Sequence, residues 1–259
     1  MRRLIIAATL LAGMTLSALA LMPGANAVVF GQPDGNRHPE VGALLAPHAF
    51  SDGTWEECSG TLISPTVFLT AAHCDEGLSR VSVTFDSNYQ AATGTTYRGT
   101  WHADPRFNQR ESDPNDIAVV VLDRAVSGIT PARLPKAGSL SKLPRGTKFT
   151  SVGYGAQAVT NGPGGHVYHY ADIRFRGVGT LNSVTKSWLH ISGNPARGDA
   201  GTCYGDSGGP NFLGAGANET RIVAGTTITG DAICRATNVD YRLDRPSARS
   251  FLRNYVNLP

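Results

Sequence analysis

The chain has little that would hold a polyanion. Charged residues make up 17% of its 259 residues, and 23 Lys and Arg against 20 Asp and Glu leave a formal net charge of +3. No run of like charge forms a tail and no basic cluster stands out, which speaks against a nucleic-acid partner. Beyond Leu21 there is no second long apolar run, so the rest of the chain is expected to need no membrane. Helical periodicity is scarce before the C-terminus, and strands do not alternate with helices, which disfavours a doubly wound sheet. Cysteine is limited to four positions, and no histidine follows His190.

What is present reads as an exported, folded protein. The hydrophobic share is 41%, ordinary for a globular chain. Arg2 and Arg3 precede an apolar stretch from Leu4 to Leu21, followed by Pro23-Gly24 and the small-x-small tripeptide Ala25-Asn26-Ala27. That order is a secretory signal over 1–27, with cleavage after Ala27 and Val28 as the first mature residue. Secretion of the mature chain is the expected outcome. An even number of cysteines (Cys58, Cys74, Cys203 and Cys234) in an exported chain points to disulfides. Four cysteines allow three pairings, and spacing does not choose among them.

Short β-prone runs broken by Gly, Pro, Asn and Asp recur: Gly60–Ile63, Val67–Thr70, Val81–Phe85, Ile117–Leu122, Lys148–Val152, Trp188–Ile191 and Arg221–Thr229. They predict an all-β sandwich or barrel. Pro131 and Pro135 mark a connection between two halves, 28–130 and 131–243, and Asn161–Gly165 reads as a surface loop. A closing helix over 244–259 is expected, capped by Asp244 with Pro246 in its first turn. Ala248, Phe251, Leu252, Tyr255 and Val256 would face the body.

The chemistry starts at Gly205-Asp206-Ser207-Gly208-Gly209-Pro210. A serine hydroxyl is a weak nucleophile until a base takes its proton. Flanking glycines permit an unusual turn and a close substrate carbonyl, and the N–H groups of Gly205 and Ser207 are candidates for an oxyanion hole. The hexapeptide also satisfies G-x-S-x-G, but that pattern in an α/β-hydrolase requires a histidine after the serine, and none exists. The base is instead His73, in Thr70-Ala71-Ala72-His73-Cys74. The carboxylate to orient it is Asp116, at the head of the apolar run Ile117–Leu122.

The order His73, Asp116, Ser207 and four separate segments resemble the trypsin/chymotrypsin family. The segments are Val28-Val29-Phe30-Gly31, Cys58–Cys74 with its AAHC, Asn115–Leu122, and Cys203–Pro210 with its GDSGGP. Small secreted bacterial members look most similar. The resemblance implies two packed antiparallel six-stranded β-barrels, with His73 and Asp116 on the first and Ser207 on the second. It implies the pairings Cys58–Cys74 and Cys203–Cys234, and activation by an ion pair between a new amine at Val28 and Asp206. Phe30 departs from the family, which usually has Gly there. It also implies a substrate pocket lined by Gly201, Thr202, Ile228–Gly230 and the stretch around Asp240. Gly201 stands where Arg- and Lys-specific members carry an acid, so a neutral pocket is expected, with Asp240 as a compensating acid from the opposite wall.

The remaining features have plainer readings. His38, His48, His102, His166, His169 and His190 read as surface or core residues. His166 and His169 lack the further ligands a zinc site needs, so no metal and no cofactor are expected. Asp123, Asp172 and Asp199 read as solvated. Asn218-Glu219-Thr220 is a glycosylation sequon, with meaning only in a host that glycosylates. The expected partners are protein or peptide substrates and proteinaceous inhibitors, acting on a monomer. The rival class is a secreted binding protein of the same fold that has lost catalysis.

Overall fold

The first strand, β1 (Gln32–Pro33), is only two residues long, because Pro33 has no N–H to continue a ladder. In the computed structural model, which describes residues 28–108 and 114–259, it pairs with a strand far along the chain. The leader expected over 1–27 lies outside the described residues.

Six strands then close on themselves: β2 (Val41–Leu45), β3 (Glu56–Ser64), β4 (Val67–Thr70), β5 (Arg80–Thr84), β6 (Thr96–Ala103) and β7 (Ala118–Leu122). Their order around the barrel is β2-β3-β4-β7-β6-β5, all antiparallel. Period-two alternation sends Leu44, Leu62, Phe68, Val83, Val120 and Leu122 into its interior. Each such side chain contributes on the order of 1.5–3 kcal/mol through burial.

The second half repeats the plan. It contains β8 (Lys148–Gly153), β9 (Ala158–Gly162), β10 (Gly165–His169), β11 (Phe175–Val184), β12 (Trp188–Ser192), β13 (Pro210–Leu213), β14 (Val223–Gly230) and β15 (Thr237–Arg242). Here β8, β11, β12, β15, β14 and β13 form a ring, closed by β8 pairing with both β11 and β13. The expected two six-stranded barrels are therefore observed. The segment Asn161–Gly165, expected as a loop, is the tip of the β9–β10 hairpin, with Gly162 opposite Gly165.

One further apolar cluster joins the barrels. Val41, Ile63, Leu69, Ile117 and Val119 of the first meet Val152, Tyr154, Phe212, Val223 and Tyr241 of the second. A buried ionic clamp lies beside it. Arg174 donates from Nε to Asp34 (3.0 Å), and from Nη1 to the carbonyls of Val41 (2.8 Å) and Phe85 (3.0 Å). His38 is held between Asp34 (2.5 Å) and Glu219 (2.6 Å).

The structure corrects several details. β1 adds to β11, so the first residues of the 28–130 segment pack on the second barrel and not on the first. The helix α1 is shorter than expected, Pro246–Leu252, and Arg245 stands at its N-cap position without a side-chain bond. Asp244 is fully buried instead, where it binds the Arg242 guanidinium (2.8 and 3.0 Å) and the Leu140 N–H (2.9 Å). A buried arginine beside it outcompetes the backbone for the carboxylate. Asp172 and Asp199 are buried, not solvated. Asp172 accepts the N–H groups of Trp55 and Glu56, and Asp199 sits with Thr180 and Lys148. Asp123 is exposed and pairs with Arg80.

Candidate active site

Between the barrels opens a cleft of about 630 Å³. His73 reaches it from a single 3₁₀ turn, Ala72–Cys74, that follows β4. Asp116, two residues before β7, is 4% exposed. Its Oδ1 accepts the backbone N–H of His73 (3.0 Å), and its Oδ2 faces His73 Nδ1 (2.7 Å). One carboxylate thus fixes both the main chain and the ring of the same histidine. With Nδ1 holding its proton toward Asp116, Nε2 is left as the basic nitrogen.

Ser207 lines the same cleft from the turn that leads into β13. Its backbone is held from both barrels. The Ser59 N–H of β3 donates to the Ser207 carbonyl (2.9 Å), and the Gly208 N–H donates to the Thr227 carbonyl of β14 (2.7 Å). The turn needs its glycines. Gly205 has φ +91° and Gly208 φ +75°, values that an L side chain resists. A Cβ on Gly208 would also overlap Thr70 Oγ1, and one on Gly205 would stand 2.7 Å from Glu56 Oε2 and 2.8 Å from Gly155 Cα.

The Tyr204 carbonyl accepts the Ala156 N–H at 2.8 Å. Since the peptide is trans, the Gly205 N–H points the opposite way. Among the described residues, no hydrogen bond is made by the N–H of Gly205 or of Ser207. Backbone N–H groups without a partner beside a serine are the kind of donor a developing oxyanion requires.

Asp206, between them, points inward and is buried. Gly155 N–H (3.0 Å) and Cys203 N–H (2.8 Å) bind its oxygens, while burial pushes its pKa up to about 7. Val28 is buried against Ala200 and Phe175, and the Gly201 N–H bonds to the Val29 carbonyl (3.0 Å). Phe30 has φ +68°, in keeping with a glycine at that place in the family. Its ring turns outward, with the Arg235 guanidinium 5.2 Å above it.

The disulfides Cys58–Cys74 and Cys203–Cys234 are both formed. Cys58, His73 and Cys74 lie close enough to suggest a metal triad, but both sulfurs are in the disulfide, which leaves no thiolate to coordinate.

Of the expected pocket residues, Thr202 and Gly230 line the cleft, as does Ile228. Gly201 lies just behind it, against the Cys234 carbonyl. Asp240 does not face the cleft. It is fully buried inside the second barrel, bonded to Asn211 Nδ2 (2.6 Å) and Thr227 Oγ1 (3.3 Å), and burial raises its pKa well above the carboxylate range. Asn238 shares that face, as alternation on β15 requires. Sequence reasoning did not find Glu56, which lines the cleft next to Gly205, or Tyr204 and its ring partner Tyr168 (4.7 Å).

Two closed barrels, a histidine held by a buried carboxylate, and a serine on a glycine-rich turn in the cleft between them define a serine endopeptidase. The chain belongs to the trypsin family, whose sequence profile, described as Trypsin, matches residues 42–245. It is 26% identical to a chymotrypsin of Phaedon cochleariae, over 95% of this chain and 92% of that one. It is 27% identical to the alkaline trypsin C of Manduca sexta, over 81% and 83%. It is 31% identical to brachyurin of Leptuca pugilator, over 72% and 84%.

Proposed function

We propose that the protein is secreted and hydrolyses peptide bonds through an acyl-enzyme on Ser207. His73 Nε2 takes the hydroxyl proton as Ser207 Oγ bonds to the scissile carbonyl carbon. The carbonyl oxygen becomes an oxyanion held by the N–H groups of Gly205 and Ser207. His73 then returns the proton to the leaving amine as the C–N bond breaks, and water repeats the sequence to release the acid. Asp116 keeps the ring oriented and stabilises the imidazolium. The pair of hydrogen bonds that Asp116 accepts from His73, in the cleft that Ser207 also lines, is the observation that carries this reading.

Signal cleavage after Ala27 would give Val28 an amine to pair with buried Asp206, ordering the turn that bears Gly205 and Ser207. Buried Val28 and the poorly compensated Asp206 carboxyl support that pairing. The expected neutral pocket is supported by Gly201 at the position where Arg- and Lys-specific members carry an acid and by Asp240 being buried away from the cleft, although Asp231 lines the cleft beside Gly230. Matured protein should hydrolyse peptide esters with a burst of about one equivalent of alcohol, and Ser207→Ala should abolish the burst. A burst that survives in Ser207→Ala, or matured protein that only binds peptides without cutting them, would reject this function. The second result would favour the inactive binding protein.

A further inference from the structure

Behind the candidate oxyanion turn lies a carboxyl group that the triad chemistry does not use. Glu56 opens β3, is 4% exposed, and lines the cleft. Neither of its carboxyl oxygens has a hydrogen-bond partner among the described residues. A Cβ built on Gly205 would stand 2.7 Å from Oε2 and 3.0 Å from Oε1, so the carboxyl rests against the α-carbon of that turn.

The groups around it offer no positive charge. Asp206 lies on the serine turn, with its oxygens taken by Gly155 and Cys203. Asp172, from the segment after β10, is bonded to the Trp55 and Glu56 N–H groups. Glu57 is next on β3, and Tyr170 and His73 line the same cleft. No Lys or Arg is among the residues that line it. A buried carboxylate with neither a counter-ion nor an N–H donor is strongly disfavoured against its protonated form. Burial first, and then the negative fields of Asp206, Asp172 and Glu57, hold Glu56 well above the usual carboxylate range. An amine at Val28 paired with Asp206 would still leave Glu56 without a partner of its own.

We propose that Glu56 is a positioning residue for the oxyanion turn and works in its uncharged form. The neutral carboxyl fills the space behind Gly205, a space no Cβ could occupy, and so sets the direction of the Gly205 N–H. It also keeps negative charge out of the neighbourhood where the substrate oxygen acquires it. Ionised Glu56 would repel that oxygen and slow the chemical step on the order of ten- to a hundredfold. This inference rests on the catalytic reading above.

The test compares kcat against pH for the matured protein and its Glu56→Gln variant, each profile normalised to its own maximum. Gln has the same shape and cannot ionise. The wild type is expected to lose kcat on the alkaline side where the Gln variant does not, with KM moving little in either. Infrared difference spectra, which need no turnover, should contain a protonated-carboxyl C=O band that the Gln variant lacks. That readout separates failure of this idea from failure of the catalytic reading. Glu56→Ala, which empties the space, should lower kcat at every pH. Superimposable normalised profiles, a missing band, or an Ala variant with wild-type kcat would each overturn the proposal.

Discussion

Asp116 bonds to His73 twice, once at the ring and once at the main chain. Replacing it with Asn keeps the shape but presents an N–H or the wrong acceptor to Nδ1, so the histidine loses the tautomer it needs. Asp116→Asn should lower kcat by roughly 10⁴ with little change in KM, measured on a peptide ester. Gly205→Ala meets Glu56 Oε2, Gly155 Cα and an unfavourable φ at once. It should lower kcat by about 10²–10³, the scale of a lost oxyanion donor. These residues were legible in the sequence because each sits in a short local motif whose glycines and apolar flanks announce its geometry. Asp240 was misread because strand parity decides which wall it faces, and a one-residue shift reverses the answer. Glu56 was not legible at all, since its importance comes from contact with Gly205, remote in sequence.

At the scale of elements, the segment carrying Asp34 and His38 is tied to both barrels through Arg174 and Glu219. The partners Asp34 and Glu219 raise the His38 pKa to about 9 against the opposing effect of burial. A raised pKa stabilises the folded state fully below the unfolded value near 6.5, and that contribution fades as pH climbs through about 9. The same contacts lower Asp34 and Glu219, so their share is present above the ordinary carboxylate range and fades as pH falls below it. Denaturant titrations should therefore show highest stability from the clamp between roughly pH 5 and 6.5, with His38→Leu on the order of 3 kcal/mol less stable there, because buried Asp34 and half-buried Glu219 lose their shared partner.

Strand segments such as β4 and β7 were legible as apolar runs. β6 and β11 were not, because Gly99, Gly177 and Gly179 and polar neighbours break their alternation, and tertiary pairing alone makes them strands. The helix was foreseen from its 3.6 period, but its cap was not, because Arg242 claims Asp244.

Across the whole molecule, the cleft has a one-sided charge. Asp52 and Asp231, both held below the usual carboxylate range, are among its lining residues, and Lys and Arg are not. Such a field attracts cations and repels anions over several ångströms, and salt weakens it. Peptides with Asp or Glu flanking the scissile bond should have a lower kcat/KM than neutral ones at low ionic strength, and the gap should narrow at high salt. The short strands alone pointed only to a β-sandwich or barrel; the two-barrel architecture was legible only through the family resemblance that the scattered motifs carry. The crossing of β1 onto the second barrel was not, because a two-residue strand leaves no periodicity to read.

The meeting of His73, Asp116 and Ser207 in one working site is tested most directly by a phosphonate ester that phosphonylates activated serines. Mapped by mass spectrometry on matured protein, label is expected on Ser207 at about one equivalent, and is expected to fall to background in His73→Ala although Ser207 remains. Absence of label on folded, matured protein, or labelling of Ser207 that is indifferent to His73, would contradict it.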